Sequence, residues 1–229
     1  MCGRYAIHGP HSRRREALED EAAKSLVDRF IDDLIRHTRY NIAPGTEVPV
    51  IAARGAEPEL RVLRWGLKQD GKPFNIRSDS APKPWARSLL RSRVIFPASG
   101  FYEWQAQGSG PKQPWYFRDP RGRYLAIAGV AGQWDGPGAA MFTCDADELM
   151  RPVHHRMPVV LDEAGVAAWL DPGTRFDDVM ALLRPGVALE RYRVGRAVGN
   201  SRNEGPALVE PVEEEAQPGL VADQDWPRE

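Results

Sequence analysis

Residues 92–105 read SRVIFPASGFYEWQ, two apolar and aromatic runs either side of Ser99 and Gly100. Short β-branched and aromatic runs divided by small residues are the pattern of strands joined by turns. Outward from this stretch the texture repeats in VPVIAAR (48–54), ELRVLRW (59–65), PWYFRD (114–119), YLAIAGVAG (124–132) and AAMFTCD (139–145), separated by Gly, Pro, Asp and Lys. Helical spacing is confined to three places. HSRRREALEDEAAKSLVDRFIDDLIR (11–36) sets Leu18, Ala22, Leu26, Phe30 and Leu34 at steps of four, along one side of a packing helix, and VVLDEAGVAAWLD (159–171) and TRFDDVMALLR (174–184) read as two later helices. The expected fold is α+β and β-rich, mainly antiparallel sheet with flanking helices.

With 229 residues, 42% of them hydrophobic, one well-buried core is expected rather than two. No run approaches the roughly 18 apolar residues of a membrane helix. The opening MCGRYAIHGPHSRRR lacks the apolar stretch of a secretion signal, so a soluble, cytoplasmic protein with no membrane partner is expected. Cys2 and Cys144 are too few for a disulfide scaffold and lack CxxC spacing, which leaves thiol chemistry rather than a zinc site. The net charge of -1 is unevenly spread. Residues 206–229 carry seven acids against Arg228, leaving 30 basic and 25 acidic residues in 1–205. A mildly basic body is compatible with a polyanionic partner. The division expected is a domain over 1–212 and an acidic, solvated tail over 213–229.

Cys2 directly follows the initiating methionine. Removal of Met1 would place an α-amine and a thiol on adjacent carbons of one residue. An amine with a pKa of roughly 7.7–8.0 is partly neutral at cellular pH and condenses with an aldehyde to an imine, onto which the thiol closes a five-membered thiazolidine. An internal cysteine cannot do this, because its nitrogen is an amide. The competing reading of Cys2 is a small apolar residue packed under the first strand.

Glu103 sits between Tyr102 and Trp104, where burial would raise its pKa and make it a proton donor and acceptor; on the outer face of an alternating strand it would be solvated instead. In VHHRMPVVL (153–161), an extended backbone would turn His154 and His155 to opposite faces, one toward a pocket. Their spacing is not the i, i+4 helical spacing of zinc-binding pairs, so no metal is expected. In FNIRSD (74–79), Asn75 and Arg77 share a face if extended, Arg77 suited to a phosphate and Asn75 to a sugar or the N-terminus, although surface solvation accounts for both equally. From Lys72 to Arg93, six basic residues accompany one acid, Asp79, with Phe74 and Trp85 interleaved. That is either a strip tracking a nucleic-acid backbone or a solvated helix face.

MCGRYA (1–6), YNIAPGT (40–46), RWGL (64–67), NIRSD (75–79), IFPASGFYEW (95–104) and HHRMPVVL (154–161) occur in the order characteristic of the SRAP (SOS response-associated peptidase) family, which the chain resembles over roughly 1–212. The resemblance implies a β-rich single domain with a positively charged groove that crosslinks to abasic sites in single-stranded DNA through Cys2. It implies that Cys2 supplies amine and thiol, that Glu103 moves protons, that Asn75 positions the N-terminus, and that His154, the histidine matching the H-x-R-M-P box, helps open the sugar. Arg4, Arg77 and Arg156 would hold phosphates, so binding would be sequence-tolerant and salt-sensitive. After RWGL the family's aromatic-bearing segment is replaced by the shortened KQDGKPF, which leaves Trp65 or Phe74 to stack on DNA. Val94 stands where relatives often have Cys, and Cys144 matches no family role.

No cofactor is expected, because imine and thiazolidine chemistry needs only proton transfer; a monomer is the default. The same imine would also support strand cleavage by β-elimination, a lyase reaction. Two other functions compete. A cysteine-dependent peptidase, acting on its own Met1 or in trans, would use the same nucleophile, and a non-catalytic single-stranded DNA-binding module would not need Cys2.

Overall fold

The continuous apolar runs become interior strands and the mixed ones become strands with a wet face. A computed structural model describes residues 2–9, 26–54, 57–68, 70, 73–134 and 136–212. In chain order the strands are β1 (Tyr5–Ile7), β2 (Arg39–Ile42), β3 (Glu47–Arg54), β4 (Glu57–Trp65), β5 (Asn75–Arg77), β6 (Arg93–Ala98), β7 (Gly100–Gln107), β8 (Gly110–Arg118), β9 (Leu125–Gly132), β10 (Gly138–Asp145), β11 (Arg156–Pro158), β12 (Val160–Leu161) and β13 (Glu190–Arg193). The helices are short: α1 (Ile31–Arg36), α2 (Pro84–Leu89), α3 (Glu163–Leu170) and α4 (Phe176–Ala181).

One sheet has five strands in the order β13-β8-β7-β1-β2, antiparallel throughout. The other runs β11-β10-β4-β3-β6-β9-β12, and because β10 also pairs with β9, the strands β4, β3, β6, β9 and β10 close into a ring. Closure hides the edges that five open strands would leave. Two pairings are parallel: β10 with the end of β4, and β10 with β5 from Met141↔Asn75 to Thr143↔Arg77. These pairings bring Asn75 and Arg77 to the ring.

The small residues of β9, LAIAGVAG, suit a strand packed on both faces. Above it, buried Trp169 of α3 donates from Nε1 to the carbonyls of Val94 (3.0 Å) and Gly129 (3.2 Å), so helix and ring share a satisfied polar contact inside the core. Asp162 starts α3 by accepting from the Gly165 amide at 2.7 Å. This capping residue explains why 159–171 is not one helix: Val160 and Leu161 pair with β9 as β12, and the helix begins after Asp162. Arg93 caps the other end, donating to the carbonyls of Trp169 and Asp171.

The early helix is likewise shorter than its periodicity predicts. Leu18 and Ala22 lie outside the described residues; after them Leu26 is in a turn, Asp28–Phe30 is one 3-10 turn, and α1 follows with Leu34 buried. Asp32 and Asp33 at its first turn favour a start there through the helix dipole. The described residues end at Val212, whose amide bonds the Arg193 carbonyl at 3.0 Å, and the acidic tail expected over 213–229 lies outside them.

Candidate active site

The N-terminal segment is laid beside β7 by pairing. Tyr5 lies opposite Phe101 and Ala6 opposite Gly100, and the Tyr102 amide continues the ladder to the Arg4 carbonyl at 3.0 Å. This register carries Cys2 along the strand that bears Glu103. Gly100 permits it: an added Cβ would run into the Tyr116 ring and the Phe117 carbonyl oxygen, forcing β7 away from β8.

Cys2 is fully enclosed, at 0% exposure, with Sγ 3.8 Å from the Arg4 carbonyl. The Asn75 amide donates to the Cys2 carbonyl at 2.6 Å, and its Oδ1 is buried with no hydrogen-bond partner among the described residues. Burial pushes the thiol far above its ordinary pKa, and the nearby Glu103 charge adds to that. At rest the group is therefore a thiol, not a thiolate. Glu103 is 3% exposed, and burial raises its carboxyl to about 7, so that near neutral pH it gives up or takes a proton with equal ease. This resolves the two readings of Glu103 in favour of the inward one.

His154 reaches the site from the turn before β11. Gln105, two residues beyond Glu103, donates to the Pro152 carbonyl at 3.0 Å and ties that turn to β7. Nδ1 lies 3.0 Å from the Arg156 amide nitrogen and 3.1 Å from the Arg156 carbonyl oxygen, so the backbone of Arg156 holds that edge of the ring in either tautomer. Burial lowers the His154 pKa, favouring the neutral ring. The expectation that His154 and His155 face opposite ways is not met: their rings stack at 4.4 Å, because the turn at 151–153 ends before the strand begins, and the alternation of an extended chain does not reach them.

The residues expected on phosphates fare differently. Arg77 is exposed but held by Asp79 through Nε (3.1 Å) and Nη2 (2.5 Å). Arg4 turns inward, donating to Asn41 Oδ1 (2.8 Å) and the Val198 carbonyl (2.9 Å). Arg156 is 3% exposed and locked onto Asp145 Oδ1 (2.6 Å) and the Thr143 carbonyl (2.5 Å). Both carry structural bonds that a phosphate would have to displace. Trp65 is at 0% exposure, donating from Nε1 to the Phe74 carbonyl and packed edge-on against Tyr5 and Phe74, so it offers no ring face to a base; Phe74 is half-buried.

The basic strip is also divided. Lys72 lies outside the described residues, Arg87 rests on the Phe176 ring at 4.1 Å, Arg93 caps α3, and Lys83 and Arg91 are exposed. Sequence reasoning missed Lys112, whose charge reaches both Glu103 and His154, and Gln105; each arrives through the β7–β8 hairpin, which no motif marks. Among the described residues no group of His, Cys, Asp and Glu could hold a metal ion, and no helix is long and apolar enough to cross a membrane.

The family described as SOS response associated peptidase (SRAP) matches residues 1–201. The chain is 31% identical over 229 residues to the abasic site processing protein YoqW of Bacillus subtilis (strain 168), covering 92% of this chain and 99% of that one. It is 29% identical over 227 residues to the abasic site processing protein YedK of Escherichia coli (strain K12), covering 93% and 100%. Among solved structures, a protein from Bacteroides thetaiotaomicron superposes with a TM-score of 0.71 at 21% identity, over 93% of this chain and 100% of the other, a likeness of fold. A phage-related protein from Bordetella bronchiseptica gives 0.61 at 29% identity, over 84% and 94%. The chain belongs to the SRAP family.

Proposed function

We propose that this chain processes abasic sites in single-stranded DNA by covalent capture on Cys2. The observation that carries the reading is the enclosure of Cys2 beside a carboxyl of pKa about 7, with its carbonyl held by Asn75. The names of the relatives, abasic site processing proteins, support the substrate.

Once Met1 is gone, the Cys2 amine adds to the C1′ aldehyde and the resulting carbinolamine loses one water to give an imine. The thiol then adds to the imine carbon while the nitrogen takes a proton, closing the thiazolidine with no further loss. Glu103 serves both halves, donating to the departing hydroxyl and accepting from the thiol, which burial keeps protonated until that moment. The Oδ1 of Asn75, unpaired among the described residues, is an acceptor for an amine N–H and would aim the nitrogen lone pair at the aldehyde. His154, neutral at rest, takes the proton of the C1′ hydroxyl while water protonates the ring oxygen of the closed sugar, which opens it to the aldehyde.

The peptidase reading is weaker on one physical ground. A cysteine peptidase acting in trans draws its nucleophile from a lowered thiol pKa, and burial moves the pKa of Cys2 the other way. Protein lacking Met1, mixed with an oligonucleotide bearing one abasic site, is expected to give a heat-stable band on a denaturing gel. Its mass should equal the two components less one water; the absence of such a species would sink the proposal.

A phosphate would have to compete with Asp79 for Arg77. Asp79→Asn is therefore expected to tighten binding of an unreactive single strand and to steepen its salt dependence by about 0.7 for each additional phosphate engaged. Anisotropy titrations over a salt series would test this, with Arg77→Ala moving both quantities the opposite way.

A further inference from the structure

Between α2 and α4 lies a cavity of about 530 Å³ that shares no residue with the reaction centre. Pro84, Arg87, Ser88 and Arg91 recur at steps of three and four, forming one stripe along α2 and the turn after it that lines the cavity with Phe176 and Val179 of α4. Three of the lining residues are arginines and none is acidic, while Asp177 and Asp178 of α4 are exposed outside it. Arg93 is tied to the carbonyls of Leu90, Trp169 and Asp171 and adds only its charge. Arg87 and Arg91 are exposed, and neither has a hydrogen bond or ion pair among the described residues. Arg87 instead rests on the Phe176 ring, its guanidinium carbon 4.1 Å from the centroid. A guanidinium on an aromatic face keeps its in-plane N–H donors for a phosphate.

Beside this stripe, about 100° round the helix from Pro84, Trp85 meets Trp134 from the loop after β9. Their ring centroids are 5.9 Å apart and their planes lie at 64°. They are 40% and 42% exposed, and no other Phe, Tyr or Trp among the described residues is as exposed. Two rings set edge to face cannot cover both faces of each, so π surface is left to water, where an unpaired base would stack. Stacking rings and free guanidinium groups thus stand side by side on one six-residue helix. That pairing matches the alternation of base and phosphate in a single strand, whereas a duplex keeps its base faces inside the stack. The cavity opens at the Arg93 end of β6, and the strand runs five residues, roughly 17 Å, to Ala98 at the β7 end, where the reaction centre lies.

We infer that α2 is a second contact for single-stranded nucleic acid, away from Cys2. An unpaired base stacks on Trp85 and Trp134, and a neighbouring phosphate enters the cavity onto Arg87 and Arg91. The inference rests on the proposed capture of abasic strands and extends it, since affinity then depends on how far the strand continues beyond the lesion.

The test uses two single strands carrying a central tetrahydrofuran abasic analogue, which has no aldehyde. One has flanks of two nucleotides, too short to reach α2; the other has flanks of about twelve, which span about 40 Å even at a stacked spacing of about 3.4 Å each. Anisotropy titrations over a salt series compare the wild-type protein lacking Met1 with Arg87→Gln/Arg91→Gln and with Trp85→Ala, folding being checked by thermal unfolding. On the long strand the double variant should lower the salt slope by about 1.4, from two phosphate-binding cations at about 0.7 each. Trp85→Ala should weaken long-strand binding by about five- to hundred-fold with the slope unchanged, because the indole carries no charge. Neither variant should alter binding of the short strand. If loss of the Arg87 contact with Phe176 unfolds the double variant, Arg91→Gln alone should lower the long-strand slope by about 0.7. An unchanged slope on the long strand, wild-type affinity of Trp85→Ala for it, or an equal loss on both strands overturns the inference. Failure of the underlying reading shows separately, as a wild-type protein that forms no adduct with a reactive abasic strand.

Discussion

Cys2→Ala is expected to give no covalent adduct with an abasic single strand, even at saturating protein and long incubation. Cys2→Ser is expected to give only a species trapped by borohydride. The alanine variant keeps the α-amine but has no second nucleophile, so its imine returns to amine and aldehyde during heating. The serine hydroxyl offers a far poorer nucleophile at the same position, which leaves an imine for hydride to reduce. The effect should be complete because no other residue can replace the pair. Cys144, the second thiol, has its nitrogen in an amide and is itself buried in β10. A heat-stable adduct surviving in either variant would remove the thiazolidine from the mechanism. Unchanged strand binding with no adduct in the wild type would instead favour the simple binding module.

The enclosure of Cys2 bears on how such a reaction is kept specific. A thiolate at the surface reacts with many electrophiles, whereas a buried thiol of raised pKa reacts only when a base beside it takes the proton. Glu103 is the base we propose; burial, with a smaller contribution from its charge, keeps the Cys2 thiol protonated at rest, and burial also raises its own carboxyl. In the proposed sequence imine formation comes first, because the amine needs no such activation.

Much of this was legible in the sequence, and the rest failed for identifiable reasons. The strands were readable because runs such as VIFPA and LAIAGVAG admit few other structures, and Cys2, Asn75, Glu103 and His154 could be singled out as candidates because each stands in a short motif. The ring closure was not, since it depends on β10 pairing with β9 on one side and β4 on the other, pairings that leave no periodic trace. Nor does residue type reveal partners. Arg156 and Arg77 look alike as phosphate clamps, yet one is buried on Asp145 and Thr143 while the other lies at the surface on Asp79. Trp65 looks like a stacking platform until the edge-on rings of Tyr5 and Phe74 enclose it. Arg191 and Arg193 meet the Trp115 ring through the register of β8 and β13, far apart in sequence, and no local pattern announces that contact.

Glu103→Gln is expected to slow adduct formation by about 10²–10⁴-fold, the usual contribution of a positioned acid–base group, and at the same time to stabilise the protein above neutral pH. The two effects have one cause. The folded pKa of Glu103 is raised by burial from 4.5 to about 7, so the folded state binds the proton more tightly than the unfolded chain does. That contribution to stability is fully present below pH 4.5 and is lost as pH rises through 7, where the buried carboxyl must ionise. Glutamine is neutral throughout and escapes the loss. Denaturant unfolding at pH 5 and pH 8 should therefore show the stability difference, variant minus wild type, growing with pH by on the order of 1–3 kcal/mol. The adduct rate should lose, in the same variant, any pH dependence centred near 7. A variant that keeps the wild-type rate would remove Glu103 from the chemistry, and a stability difference that shrinks with pH would show that the carboxylate is stabilised where it sits. Slower capture together with greater stability at pH 8 is the signature of a carboxyl buried at a cost to folding because the reaction needs its proton to move both ways.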